Sequence, residues 1–223
     1  MAVHYRTQGI FVKISARGEA DELFTVYTKD FGRLKILGKA IKKITSKLKG
    51  GAGLFYLSEI EFIQGKSHKT LTDAILIESF QNIRKDLVKL RVAHKIAQVL
   101  DELVPKEEKD EQVWQLLSET FHRLDTTPTP PILRRGVGAP TKSVGAYKAY
   151  YYYFWNLVSL LGYHPEISNC SLQGREINCD IVKILKIILK KDWDLLLKIK
   201  IEPIHLRLFK NISEWYRISI HEE

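Results

Sequence analysis

The stretch Glu22-Leu-Phe-Thr-Val-Tyr-Thr-Lys-Asp-Phe-Gly-Arg-Leu-Lys-Ile-Leu-Gly-Lys39 decides the fold. Its two ends are rich in β-branched and aromatic residues, and Asp30-Phe31-Gly32 puts glycine where a short hairpin needs positive φ. It reads as two strands, Glu22 to Lys29 and Arg33 to Lys39. A third strand, Gly9 to Ala16, precedes this hairpin, and Leu54 to Ile63 and Thr70 to Glu78 follow it. Ile60 and Phe62 alternate with Glu59 and Glu61, as in a half-buried strand, and Gly65-Lys-Ser-His68 closes another tight turn. Five short strands, with a long connection from Ala40 to Gly53 between the third and fourth, predict a five-stranded barrel of the oligonucleotide-binding (OB) type. An SH3-like barrel is the structural alternative.

After Phe80 the apolar period lengthens to that of a helix. Ile83, Leu87, Leu90, Ala97, Leu100 and Val104 recur on one predicted face until Pro105, and Val113, Trp114, Leu117, Phe121 and Leu124 mark a second helix. Thr126-Thr-Pro-Thr-Pro-Pro131 and Gly136-Val-Gly-Ala-Pro140 predict a flexible loop over about 126–146. Helices resume from about Val144 to Leu161, Asp180 to Lys190 and Pro203 to Tyr216, the last with proline at a first-turn position. The expected class is α+β, with a nucleic-acid-binding barrel over 1–79 and a mainly helical domain over 80–223.

The chain has 223 residues, 45% of them hydrophobic, which is enough to bury a core. Apolar runs such as Phe154 to Leu161 are too short to span a bilayer, and Met1-Ala-Val-His-Tyr-Arg-Thr7 lacks the apolar centre of a secretory signal. With two cysteines as well, a reducing cytoplasm is the expected location. The formal net charge of +9 favours a polyanionic partner.

The basic residues are not evenly spread. Arg33, Lys35, Lys39, Lys42, Lys43, Lys47 and Lys49 place seven cations in seventeen residues without one acid. Starting on the third strand and continuing into the following loop, they suit the tracking of a phosphate backbone through counterion release more than base readout. Phe31, Phe55 and Tyr56 lie near them and are candidates for base stacking or for barrel core. A second cluster, Arg134, Arg135 and Lys142, sits in the predicted loop beside the aromatic run Tyr147 to Trp155. It suits contact with DNA or an acidic peptide tail, while helical spacing sends Tyr151, Phe154 and Val158 to a core face.

No catalytic motif is complete. Gly136-Val-Gly-Ala-Pro-Thr-Lys-Ser143 departs from a phosphate-binding loop at Thr141 and Pro140, and the seven histidines form no metal-protease pair. Glu19, Asp21 and Glu22 near the first hairpin read as a solvated turn or, alternatively, as a metal-binding trio. Over about 168–180 the chain resembles a degenerate zinc finger. Gln173 stands where Cys170 would need its Cys-x-x-Cys partner, Cys179 has no partner at that spacing, and His164 is the one further ligand nearby. No bound zinc or other cofactor is expected.

Three segments taken in order resemble the bacterial RecO recombination mediator proteins. The first is Gly18-Glu-Ala-Asp21 with Thr25-Val-Tyr-Thr28, Gly32-Arg-Leu-Lys35 and Gly38-Lys-Ala40. The second is Leu76-Ile-Glu-Ser-Phe80 entering Ile83-Arg-Lys-Asp-Leu87, and the third is Leu160-Leu-Gly-Tyr-His-Pro165 leading to Cys170. The resemblance implies a non-enzymatic protein with an OB-fold barrel and a helical domain. It also implies binding of single- and double-stranded DNA, annealing of complementary strands, engagement of the acidic tail of single-stranded DNA-binding protein, and action with RecR in loading RecA during repair. Arg33, Lys35 and Lys39 fall on the barrel region that the family uses for DNA, and Arg134 and Arg135 are the candidates for contact with the acidic tail or DNA. Family members with four cysteines bind zinc, a pattern from which this chain departs at Gln173. Two competing readings remain: an RNA-binding or ribosome-associated barrel module, and a metal-dependent nuclease built on Glu19, Asp21 and Glu22.

Overall fold

Ile10, Phe11 and Val12 are all buried, although they are consecutive on one strand, because that strand has a core on each face. The computed structural model describes residues 3–128 and 144–222. Strand β1 (His4–Arg17) pairs with β2 (Asp21–Thr28) along its second half and with β4 (Leu57–Gln64) along its first. Strands β3 (Gly32–Gly38) and β5 (Lys69–Glu78) complete a closed barrel in the order β1-β2-β3-β5-β4. Closure is by two parallel pairs, Ile36 with Lys69 and Leu37 with Thr70. A bulge between Phe11 and Lys13 shifts the register of β1 by one residue and bends it so that one strand serves both neighbours.

Phe11, Phe24, Val26, Leu34, Ile36, Ile60 and Phe62 fill the barrel. Ile10, Val12, Tyr27 and Leu57 face outward into a second apolar cluster shared with the helices. Gly32 has φ +62°, as the hairpin requires, and a Cβ there would lie 2.1 Å from the Glu108 carbonyl oxygen. The expected strand from Leu54 starts instead at Leu57. Phe55 takes a left-handed φ of +60° and turns into the shared core, where its ring meets Phe121. That burial removes Phe55 as a candidate for base stacking.

The helices are α1 (Gln81–Lys85), α2 (Leu87–Leu103), α3 (Glu111–Thr126), α4 (Val144–Leu160), α5 (Cys179–Leu189), α6 (Trp193–Lys198) and α7 (Pro203–Glu222). The helix expected to run unbroken from Ile83 is interrupted at Asp86, whose extended backbone lets its carboxylate accept from the Val88 and Lys89 amides. That cap resets the helical phase. Leu87 is exposed, and Val92, Ala93, Ile96, Ala97, Val99 and Leu100 form the buried face. Every residue of α4 from Tyr151 to Val158 is buried, so this helix is the axis of the helical part, with α2, α3 and α5 packed around it. Among the described residues no helix is long and apolar enough to cross a membrane.

Between α4 and α5, three two-residue strands, β6 (Ile167–Ser168), β7 (Ser171–Leu172) and β8 (Arg175–Glu176), form a small antiparallel sheet. Cys170 and Cys179 are joined by a disulfide across this knuckle, with Cα atoms 4.5 Å apart. Cys179 therefore has a partner nine residues earlier, which Cys-x-x-Cys spacing does not reveal. The predicted loop with Arg134, Arg135 and Lys142 falls largely on 129–143, outside the described residues.

Candidate nucleic-acid interface

Leu34 and Ile36 point into the barrel, so Lys35 between them points out. On the outer face it sits opposite Thr25 of β2, and Thr25 sits opposite Lys13 of β1. The β1 bulge is what brings Lys13 outward: Phe11 packs inside, Val12 faces the helices, and after the extra residue Ile14 rejoins the interior. Lys13 and Lys35 line a cleft of about 360 Å³ with Thr25, Arg33, Lys106, Asp101 and Glu107.

Lys39, Lys42, Lys43, Lys47 and Lys49 are exposed on the segment that leaves β3. The segment is pinned by its apolar residues, with Ile41 and Ala52 buried in the barrel core and Leu48 packed against it. Its backbone is held as well: the Ala40 amide donates to the Asp21 carboxylate at 2.7 Å and the Lys42 amide to the Ala20 carbonyl at 3.0 Å. The lysines thus project from a fixed backbone, and Lys49 Nζ donates to the Lys42 carbonyl at 3.0 Å. Among the described residues none of Lys35, Lys39, Lys42, Lys43, Lys47 and Lys49 forms an ion pair, so their charge faces water and screening salt.

Arg33 differs from its neighbours. Its side chain is 7% exposed, and its Nη1 donates to both the carboxylate and the backbone carbonyl of Asp101 on α2. It joins barrel to helix, and the structure removes it from the set of cations free to meet a phosphate. Tyr56 is also engaged, with the Arg84 guanidinium 4.6 Å from its ring centroid. Phe31 and Tyr56 are both partly exposed, and of the three suggested stacking residues Phe31 is the one that lines a pocket. Asp21, one of the three acids near the first hairpin, is held by the Ala40 amide. Among the described residues no three His, Cys, Asp or Glu side chains, the trio of Glu19, Asp21 and Glu22 included, are grouped to hold a metal.

Residues 1–80, which contain the whole lysine run, match the family described as recombination protein O N terminal. Relatives extend the similarity into the helical part. The DNA repair protein RecO of a Thermoanaerobacter species is 25% identical over 226 residues, covering 89% of this chain and 85% of its own length. The protein of the same name from Nostoc punctiforme is 27% identical over 183 residues, 82% of this chain and 57% of its own length. That of Dehalococcoides mccartyi is 29% identical over 167 residues, 75% of this chain and 60% of its own length. These findings support the RecO family, with residues 1–80 matching its N-terminal domain and the similarity to proteins named DNA repair protein RecO running on into the helices. It spans less than two thirds of the Nostoc and Dehalococcoides RecO proteins it matches.

Several residues of the segments that resemble RecO build the frame that carries the cations. Gly18 turns β1 into β2 at φ +69°, Asp21 ties down the start of the lysine segment, and Gly32 admits the chain following α2. Gly162, at φ +95°, ends α4. Sequence reasoning missed Lys13, because strict alternation from Phe11 would send it inward, and a bulge leaves no mark of its own in one sequence.

Proposed function

We propose that this chain is a DNA repair and recombination mediator of the RecO type that works by charge and proximity and catalyses no covalent step. Lys35, Lys39, Lys42, Lys43, Lys47 and Lys49, joined by Lys13, hold the backbone of single- and double-stranded DNA through counterion release. Cations held on a pinned segment lower the repulsion between two complementary strands and let them meet and anneal. In this reading the helical part recruits the acidic tail of single-stranded DNA-binding protein and RecR, and the assembly promotes RecA loading in the bacterial cytoplasm, at the nucleoid. The observation that carries the proposal is the run of unpaired lysines leaving β3 inside the region matched by the RecO domain.

The test is annealing of complementary oligonucleotides precoated with their cognate single-stranded DNA-binding protein, across a salt series, with and without this chain. Salt-sensitive acceleration on coated strands is the expected result. Acceleration on bare strands alone would reduce the protein to a DNA-binding module, and tighter binding of RNA with no annealing would favour the RNA-binding alternative.

A further inference from the structure

At one end of the barrel the start of β1, the β2–β3 turn, the end of β4 and the start of β5 surround a pocket of about 300 Å³. Its floor is aromatic. Tyr5 stacks on Phe62 with centroids 5.3 Å apart and planes 19° apart, and Phe31 sets its ring nearly perpendicular to both at 5.6 Å. Phe62 is covered, whereas Tyr5 and Phe31 remain partly exposed to the pocket.

The rim carries charge that cancels. Lys69 Nζ lies 2.8 Å from Glu107 Oε1, and Lys109 Nζ lies 3.8 Å from the Asp30 carboxylate, which also accepts from the Thr7 hydroxyl at 2.7 Å. A phosphate gains little in a site whose cations already have partners. A neutral, flat, π-bearing group with polar edges suits both the floor and the rim. Next door the balance reverses, since Lys13, Lys35 and Lys106 line the cleft beside the Arg33–Asp101 pair, with Glu107 as the one further acid of its lining. Glu107 lines both spaces, so the basic cleft and the aromatic pocket adjoin.

We propose that the barrel-end pocket of Tyr5, Phe31 and Phe62 receives one unstacked base of a single DNA strand whose phosphates lie in the adjoining cleft of Lys13, Lys35 and Lys106. This rests on the DNA-binding reading above and adds a division of labour to it. The cleft senses charge, and the pocket senses whether a base is free of its partner. A base within a duplex is stacked and paired and does not enter, so the pocket favours single strands over duplexes of equal charge.

The experiment compares the full chain's affinity for an oligothymidylate with that for an abasic strand of the same length and charge, over a salt series. The intact strand should bind about tenfold tighter, the scale of one base stacked on an aromatic ring, with the same dependence on salt. Phe31→Leu keeps apolar volume and removes the ring, and it should abolish that preference while leaving the salt dependence unchanged. Tyr5→Leu, used if the first variant unfolds at a lower temperature than the parent, should act the same way. Equal binding of intact and abasic strands with a steep salt dependence would overturn the pocket and leave the DNA-binding reading standing. A preference that survives in both folded variants would likewise overturn it. Failure of the parent to bind either strand at low salt would remove both.

Discussion

Arg33 on β3 and Asp101 on α2, sixty-eight residues apart in the chain, meet through the guanidinium, which donates to the Asp101 side chain and backbone together. The pair joins the barrel to the helical part beside the lysine cleft. Because Asp101 is about half exposed, water takes up part of what is lost when the pair is broken. Arg33→Ala should therefore cost about 1–2 kcal/mol, read as a lower denaturant midpoint. Its DNA salt dependence should match that of the parent under conditions where both are folded. A fall in that dependence as large as that from Lys35→Ala would put Arg33 on the DNA.

Lys35, Lys39, Lys42 and Lys43 are expected to act additively, since each projects separately and none is paired. Replacing all four with alanine should flatten the log–log salt plot for single-stranded DNA by roughly 0.7 per lysine in contact and leave thermal stability close to that of the parent. An unchanged slope would remove this segment from the interface.

Lys13 carries a separate expectation, because its place beside Lys35 depends on the β1 bulge. Lys13→Ala should lower the salt slope as much as Lys35→Ala does. Titration of the two single variants and the double variant checks this, and a silent Lys13→Ala would confine the interface to β3 and its following segment.

Lys148 is a cation of the opposite kind. Buried on α4, it donates to the Leu197 carbonyl at 3.0 Å and the Ile199 carbonyl at 2.7 Å and so closes the end of α6, while burial holds its pKa below the usual lysine value. Lys148→Met strands two carbonyls and should cost about 2 kcal/mol. Chemical denaturation gives the cost, and binding of DNA at low temperature should not change.

The tyrosines of α4 set an alkaline limit. Burial pushes Tyr150 up to about 12 and also raises Tyr151 and Tyr153 above the ordinary 10.0. The folded state keeps these protons while the unfolded chain releases them, so the stability they confer is fully present below about pH 10 and is lost as pH climbs toward 12. Tyrosinate absorbance and the denaturant midpoint, followed together from pH 8 upward (about two pH units below the onset), should show the buried rings ionising only as the chain unfolds. Ionisation of all ten tyrosines near pH 10 without unfolding would contradict the packing.

Most of the barrel is legible in sequence because period-two alternation and turn glycines are local signals. Gly32 is the clearest case, since residue type and backbone conformation agree. The signals failed where a distant residue decides the outcome. Nothing near Arg33 announces Asp101, and nothing around Phe55 reveals that Phe121 occupies the space it turns into. Leu87 continued the apolar period, but the local cap at Asp86 changed the phase. The short strands β6–β8 have too few residues to show a period. The lysines are readable as candidates because exposed charge needs no partner to explain it, whereas the burial of Arg33 against Asp101 leaves no local mark in the sequence.

The second core around Ile10, Val12, Tyr27 and Leu57 bears on how the protein is made and broken. A fragment ending at residue 79 would present these side chains to water as a sticky apolar face, and it would associate with itself instead of acting as a free-standing barrel. In the intact chain the same side chains are shared with the helices, so the melting of the barrel should be coupled to that of the helical part. A variant that loosens α2 or α4 should therefore weaken the hold on DNA without touching a lysine, because the surface carrying the lysines would no longer keep its shape.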